Sequence, residues 1–366
     1  MSAGGASLGV GAWNFVIPVN SLMVPDRVLA LRVFKSTTNS TINTNKGTSQ
    51  PGNLVLSSLQ ARHEADPSKL RFYNSLLASF KVPLTHEWLR RMIGNAYANL
   101  TCPVSRRRSN GTTRQREHKV SVHRWLPRSL QDWIIGRGTN DRSVADWSFI
   151  RKVCVSLAQA CLQLECDGFV HGDLKPDNVM TDTIDDESFE HVVFVDFDNV
   201  LRLRDGTYIE TPSGTHFPWG HVDYVAPEVY AIARLEDRSE CSGQHPWAIG
   251  LSIFEAIFGE HPFPGNNGVV STVDSKFAQS DLRGLTGVGV DEDLCAVVAD
   301  LLETDPANRC SLAGVLCRLS PMIPGPVSTP RMVDRVARLP YHAYFSPPHT
   351  FNTHLHTLYL CICYLP

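Results

Sequence analysis

The sequence predicts an α+β fold, with a small β-rich first part and a mainly helical second part. Three observations carry that prediction. HKVSVHRW, from His118, alternates as a half-buried strand should. From Asp146 onward, Ile150, Val153, Leu157, Cys161 and Leu164 recur on one helical face. Trp247 to Phe258 is apolar nearly all round, the pattern of a helix buried on every side.

The elements follow in order. Residues 1–35 read as strands around a glycine-rich turn, and the polar stretch 36–53 as a flexible insert. Residues 54–100 have helical character, because Leu70, Tyr73, Leu76, Leu77 and Phe80 stand three and four apart. A basic polar loop is expected at 105–118, then the strand HKVSVHRW, then helical structure from LPRSLQDWI. HVVFVDF, from His191, reads as a buried strand, and residues 293–318 as two further helices. The proline-rich tail after Ser320 matches no packed element.

Composition removes several functions. The 366 residues carry a net charge of −3, so no basic field marks nucleic acid as a partner. The 10 cysteines form no CxxC pair and the 14 histidines no HExxH, which leaves no zinc or dithiol pattern. Scattered cysteines in apolar segments read as buried thiols of a reducing compartment. No apolar segment approaches the roughly 20 residues of a membrane span, and MSAGGASLGV is not a secretory signal. The expectation is a soluble intracellular protein.

The chemistry concentrates in VHGDLKPDNVM, Val170 to Met180. Phosphoryl transfer to a hydroxyl needs a carboxylate to take its proton, a cation to screen the moving group, and oxygen ligands for Mg²⁺. Asp173, Lys175 and Asn178 supply these on one short loop, and Asp196, ending the next strand, offers a second metal ligand. The bland alternative is that Asp173 and Asn178 cap turns, as such residues often do.

These segments resemble the eukaryotic-type protein kinase family, in its serine/threonine branch, as a divergent member. HGDLKPDN is similar to the catalytic loop and VDFD to the DFG segment. The resemblance implies a two-lobed fold over 1–320, with an N-lobe to about 125, a C-lobe from about 126, and a separate tail at 321–366. It implies Asp173 as base, Lys175 facing the phosphate, Asn178 and Asp196 on Mg²⁺, and ATP with a protein serine or threonine as substrates. VAPE, Val225 to Glu228, resembles the end of the activation segment, where Glu228 pairs with Arg309 of LLETDPANR. LGVGAWNFV, Leu8 to Val16, looks like the glycine-rich loop, so Gly9, Gly11 and Val16 are expected at the nucleotide, with Ala30 and either Arg32 or Lys35.

The pattern also departs from the family. Arg32 occupies the place of the ATP-anchoring lysine, and Glu64 or Glu87 is its candidate partner. Gly172 replaces an arginine that normally meets a phosphorylated loop, and Asp198 replaces the glycine of DFG. His221 stands for a threonine, and His245 for an aspartate that braces the catalytic loop. Two alternatives therefore stay open: a pseudokinase scaffold, and a small-molecule phosphotransferase of the aminoglycoside- or choline-kinase type.

Overall fold

In the computed structural model the described residues are 9–10, 14–20, 28–34, 51–84, 116–136, 146–183, 186–204, 208–209, 221–233, 243–264 and 270–320. The chain divides into a β-sheet unit and a mainly helical unit. Leu54–Tyr73 and the described residues from Leu126 to Ser320 group with the helical one.

The first unit is an antiparallel sheet. Strands β1 (Gly9–Val10), β2 (Asn14–Asn20), β3 (Val28–Phe34), β4 (Leu76–Leu84) and β5 (Arg116–Arg124) lie in the order β1-β2-β3-β5-β4. Gly9 pairs with Val16 and Val10 with Phe15, antiparallel. β3 sits centrally and pairs Arg32 with Val16 on one side and Ser121 on the other. Ile17, Leu31, Val33, Val120 and Val122 form the core of this unit.

Two expectations fail here. The spacing of Leu70, Tyr73, Leu76, Leu77 and Phe80 does not make a helix: a 3-10 turn covers Pro67–Leu70, and Leu76–Leu84 is strand β4. Leu76, Ala78 and Phe80 are half-buried while Leu77 and Ser79 are exposed, a period of two that the positions 76 and 80 alone do not distinguish from a helix. The helix lies earlier, as α1 (Pro51–Arg62), and takes the end of what reads as a polar insert. Pro51 opens it because a first-turn residue needs no N–H donor. The basic loop likewise ends early, since residues 116–118 belong to β5.

The second unit is built on α2 (Leu130–Gly136), α3 (Trp147–Cys166), α4 (Pro227–Ala233), α5 (Gln244–Phe258), α6 (Thr272–Gly284), α7 (Glu292–Leu301) and α8 (Leu312–Leu319). Asp146 caps α3 by accepting from the Phe149 N–H, and Ile150, Val153, Leu157, Cys161 and Leu164 are all buried, as their spacing predicts. α5 buries residues from Gln244 through Ala256 on every side and stops at Gly259, whose φ is 79°. Gly250 lets α7 approach closely: a Cβ there would stand 3.0 Å from the Leu301 and Leu302 side chains.

Short strands stitch the loops of this unit. β6 (Arg128–Ser129), β8 (Val179–Thr181) and β9 (Val192–Phe194) form one small sheet; β7 (Phe169–Val170), β10 (Leu201–Arg204) and β11 (Tyr208–Ile209) form another. Leu54–Tyr73 is tied to this unit by a buried polar knot. Asp167 accepts from Tyr73 Oη at 3.0 Å and Gln163 Nε2 at 3.1 Å, lies 2.7 Å from His63 Nε2, and its carbonyl accepts from Arg62. Among the described residues no helix is long and apolar enough to cross a membrane.

Candidate active site

Asp173, Lys175 and Asn178 lie on the loop between β7 and β8, and the β8–β9 hairpin sets their relation to Asp196. Val179 pairs with Phe194, and the Val195 N–H donates to the Asn178 carbonyl at 3.1 Å. Asn178 just precedes one strand and Asp196 just follows its antiparallel partner, so strand pairing brings the two candidate ligands to one end of the hairpin. Pro176–Asn178 is a 3-10 turn with proline at its first position, which turns the chain sharply into β8.

Asp173 is 8% exposed, and both its oxygens are engaged. Oδ1 accepts from the backbone N–H of His221 at 2.9 Å. Oδ2 lies 3.4 Å from Lys175 Nζ and accepts from Asn178 Nδ2 at 3.1 Å. Asn178 Nδ2 also donates to the Asp173 carbonyl at 2.7 Å. The amide nitrogen is thus committed to Asp173, and its oxygen is the atom suited to a hard cation.

Asp196 has φ 60° and ψ 65°, and is the one non-glycine residue with positive φ among those described. Aspartate is one of the few residues besides glycine that adopt this conformation, as single residues. The conformation aims the chain into the 3-10 turn Phe197–Asn199, where Asp198 sits. The left-handed residue is thus Asp196, two before Asp198, the residue that replaces the glycine of DFG.

His171 connects the two segments. Its ring lies 5.3 Å from the rings of Phe194 and Phe197, and its Nε2 donates to the Val195 carbonyl at 3.0 Å. Burial pushes its pKa down to about 4, against the pull of the Asp173 and Asp196 carboxylates, so the ring is neutral near pH 7. Gly172 follows with φ +74°, and a Cβ there would meet the Asn199 carbonyl oxygen at 2.0 Å. The residue read as a lost arginine is therefore one that this backbone requires to be glycine. The brace expected to be lost at His245 is also present in another form: its Nε2 accepts the His171 N–H at 3.0 Å.

The end of the following segment is clamped onto α5. Gln244 accepts from the Ala226 N–H and donates to the Tyr224 carbonyl. Arg309 and Glu228 form the expected pair, with contacts of 2.7 and 2.9 Å, and Arg309 also donates to the carbonyls of Gly243, Glu303 and Thr304. The Tyr224 hydroxyl donates to Glu255, whose pKa burial raises to about 7, with the Asp177 charge adding to the rise.

Positions expected at the nucleotide are seen in part. Arg32 is 7% exposed and Ala30 6% exposed on β3; Val16 is half-buried on β2 and Gly9 lies on β1. Gly11, Lys35 and Glu87 fall outside the described residues. Glu64 is exposed in the turn after α1, and α1 itself (PGNLVLSSLQAR) contains no carboxylate. Sequence reasoning missed Gly172, Glu165 and the Asp167 knot. Only the positive-φ tolerance of glycine offered a signal, and only for the first.

A family model described as protein kinase domain matches residues 124–319, more than half of the chain. Aurora kinase of Candida glabrata is 26% identical over 162 residues, 43% of this chain and 39% of that protein. Ribosomal protein S6 kinase alpha-4 of Homo sapiens is 30% identical over 158 residues, 40% of this chain and 19% of that protein. Serine/threonine-protein kinase MRCK gamma of Mus musculus is 26% identical over 156 residues, 41% of this chain and 8% of that protein. The matched stretches thus span well under half the length of these relatives.

Proposed function

Since this chain belongs to the protein kinase family, we propose that it is a working serine/threonine kinase, transferring the γ-phosphoryl group of ATP to a protein hydroxyl. The observation that carries this reading is the held carboxylate of Asp173, with one oxygen on the His221 N–H and the other beside Lys175 and Asn178. A carboxylate fixed in this way can orient a hydroxyl and take its proton as the oxygen–phosphorus bond forms. The bond from phosphorus to the β–γ bridging oxygen breaks, and ADP leaves with that electron pair. Lys175 screens the charge on the moving group. Asn178 and Asp196 would hold Mg²⁺, which would supply charge neutralisation at the phosphates. The carboxylate of Asp196 and the amide oxygen of Asn178, whose nitrogen is committed to Asp173, are hard donors at one end of the hairpin that fit such a cation.

A protein acceptor is favoured by Lys175 and by the clamp of Glu228 on Arg309, which the resemblance associates with protein substrates. The name of one relative, serine/threonine-protein kinase MRCK gamma, supports serine or threonine as acceptor. The scaffold reading draws on the departures at Arg32, Asp198 and His245. One experiment separates the two. Labelled γ-phosphate transfer from Mg·ATP to a mixed panel of proteins is measured for wild type and for Asp173→Ala. Phosphoserine or phosphothreonine that disappears in a folded variant supports the enzyme. Nucleotide binding without transfer to proteins or small-molecule acceptors supports the scaffold, and transfer undiminished in Asp173→Ala removes Asp173 from the mechanism.

A further inference from the structure

His245 opens α5 at 1% exposure, and each of its ring nitrogens has a partner of fixed character. Nε2 stands 3.0 Å from the backbone nitrogen of His171. A backbone N–H only donates, so Nε2 carries a lone pair. Nδ1 stands 2.7 Å from Oε1 of Glu165, in the last turn of α3. An ionised carboxylate only accepts, so Nδ1 carries the proton. One state of the ring satisfies both contacts: neutral, with hydrogen on Nδ1. The other neutral tautomer would set a donor against a donor at His171 and a lone pair against the carboxylate.

The His171 N–H is not an arbitrary point of attachment. His171 is two residues before Asp173, and its own ring reaches the carbonyl of Val195, next to Asp196. A rigid planar ring thus links the end of α3 and the start of α5 to the segment that carries the candidate base. Glu165 fixes which nitrogen is protonated and so decides whether the link exists.

We propose that the buried ring of His245 and the partly exposed carboxylate of Glu165 form an imidazole–carboxylate pair that positions the Asp173 loop for phosphoryl transfer, with Glu165 setting the ring's tautomer. The proposal rests on the kinase reading above. His245 and Glu165 are positioning residues, because neither is in contact with the reacting groups.

The test uses the full chain. Nitrogen-15 NMR of histidine-labelled protein at pH 7.5 should show the His245 Nδ1 protonated and Nε2 bare. Glu165→Leu keeps much of the size of the side chain but removes the oxygen that accepts from Nδ1, so nothing on that side of the ring holds the proton there. It should lower kcat about 10- to 100-fold, with KM for ATP little changed. His245→Leu, which removes both contacts, should lose as much. His245→Gln offers one acceptor and one donor in a single amide, and should stay within about threefold of wild type by the same reasoning. Denaturation midpoints are measured alongside, and the split between kcat and KM in the folded variants is the result that a merely structural role would not give. An Nε2–H tautomer in the wild type, a Glu165→Leu variant of full kcat, or failure of His245→Gln where His245→Leu also fails would each overturn the proposal. Absence of transfer by wild type would overturn the kinase reading and the positioning role together, whereas an active wild type with unaffected variants would overturn the positioning role alone.

Discussion

Restoring the family's arginine at position 172 should damage this protein. Gly172 has φ +74°, and a Cβ built on it would lie 2.0 Å from the Asn199 carbonyl oxygen and 3.0 Å from its carbon. Both obstacles are backbone, so no side-chain rotation relieves them. The left-handed conformation costs a β-carbon-bearing residue about 1–2 kcal/mol. Displacing a packed neighbour costs about 1–3 kcal/mol more. The sum, about 2–5 kcal/mol, is a large part of the roughly 5–15 kcal/mol that holds a domain folded. Urea denaturation should therefore show Gly172→Arg with a midpoint lower by about 1–2.5 M, taking a slope of about 2 kcal/mol per M. Gly172→Ala should lose a similar amount, because the Cβ and not the guanidinium is at fault. Transfer should fall in both, since Asn199 lies in the turn after Asp196 and any relief moves that turn against the Asp173 loop. A Gly172→Arg protein within about 0.3 M of the wild-type midpoint, on the same scale, would show that the backbone does not need glycine here.

Two further outcomes follow from buried charges. Arg309→Ala strands Glu228 and three carbonyls at a site where the arginine side chain is 1% exposed, so it should cost about 3–5 kcal/mol in the same denaturation assay; a loss below about 1 kcal/mol would refute that role. Glu255 has its folded pKa raised from 4.5 to about 7, so protonation favours the folded state. Its contribution is fully present below pH 4.5 and is lost as the pH rises through about 7, a change of about 3 kcal/mol. Glu255→Gln should remove that slope, and equal midpoint changes between pH 5 and 8 in wild type and variant would refute the assignment.

What was legible in the sequence was what short-range pattern can encode. The helix face from Ile150 to Leu164 and the all-round burial of α5 follow directly from periodicity. The loop from Val170 to Met180 is legible because its groups stand within a few residues of one another. α1 was hidden by its polar opening and by a poor stripe: Leu56 and Leu59 are buried while Leu54 is 42% exposed. β4 was misread because Leu76 and Phe80 suit either period, and Leu77, exposed at 41%, belongs to neither core. Glu165 was invisible because its partner His245 is 80 residues away. No spacing rule spans that distance.

The departures from the family pattern are not independent losses. In the helical unit, Gly172 comes with the close carbonyl of Asn199, and His245 comes with Glu165, so each altered residue has a neighbour that makes the altered contact work. The burial of Asp173 bears on the choice between enzyme and scaffold. Holding an ionised carboxylate at 8% exposure is costly, and stability alone gives no reason to surround it with an N–H, an ammonium and an amide. A scaffold would be relieved of that cost by any uncharged residue, whereas phosphoryl transfer requires the carboxylate to be there and ionised.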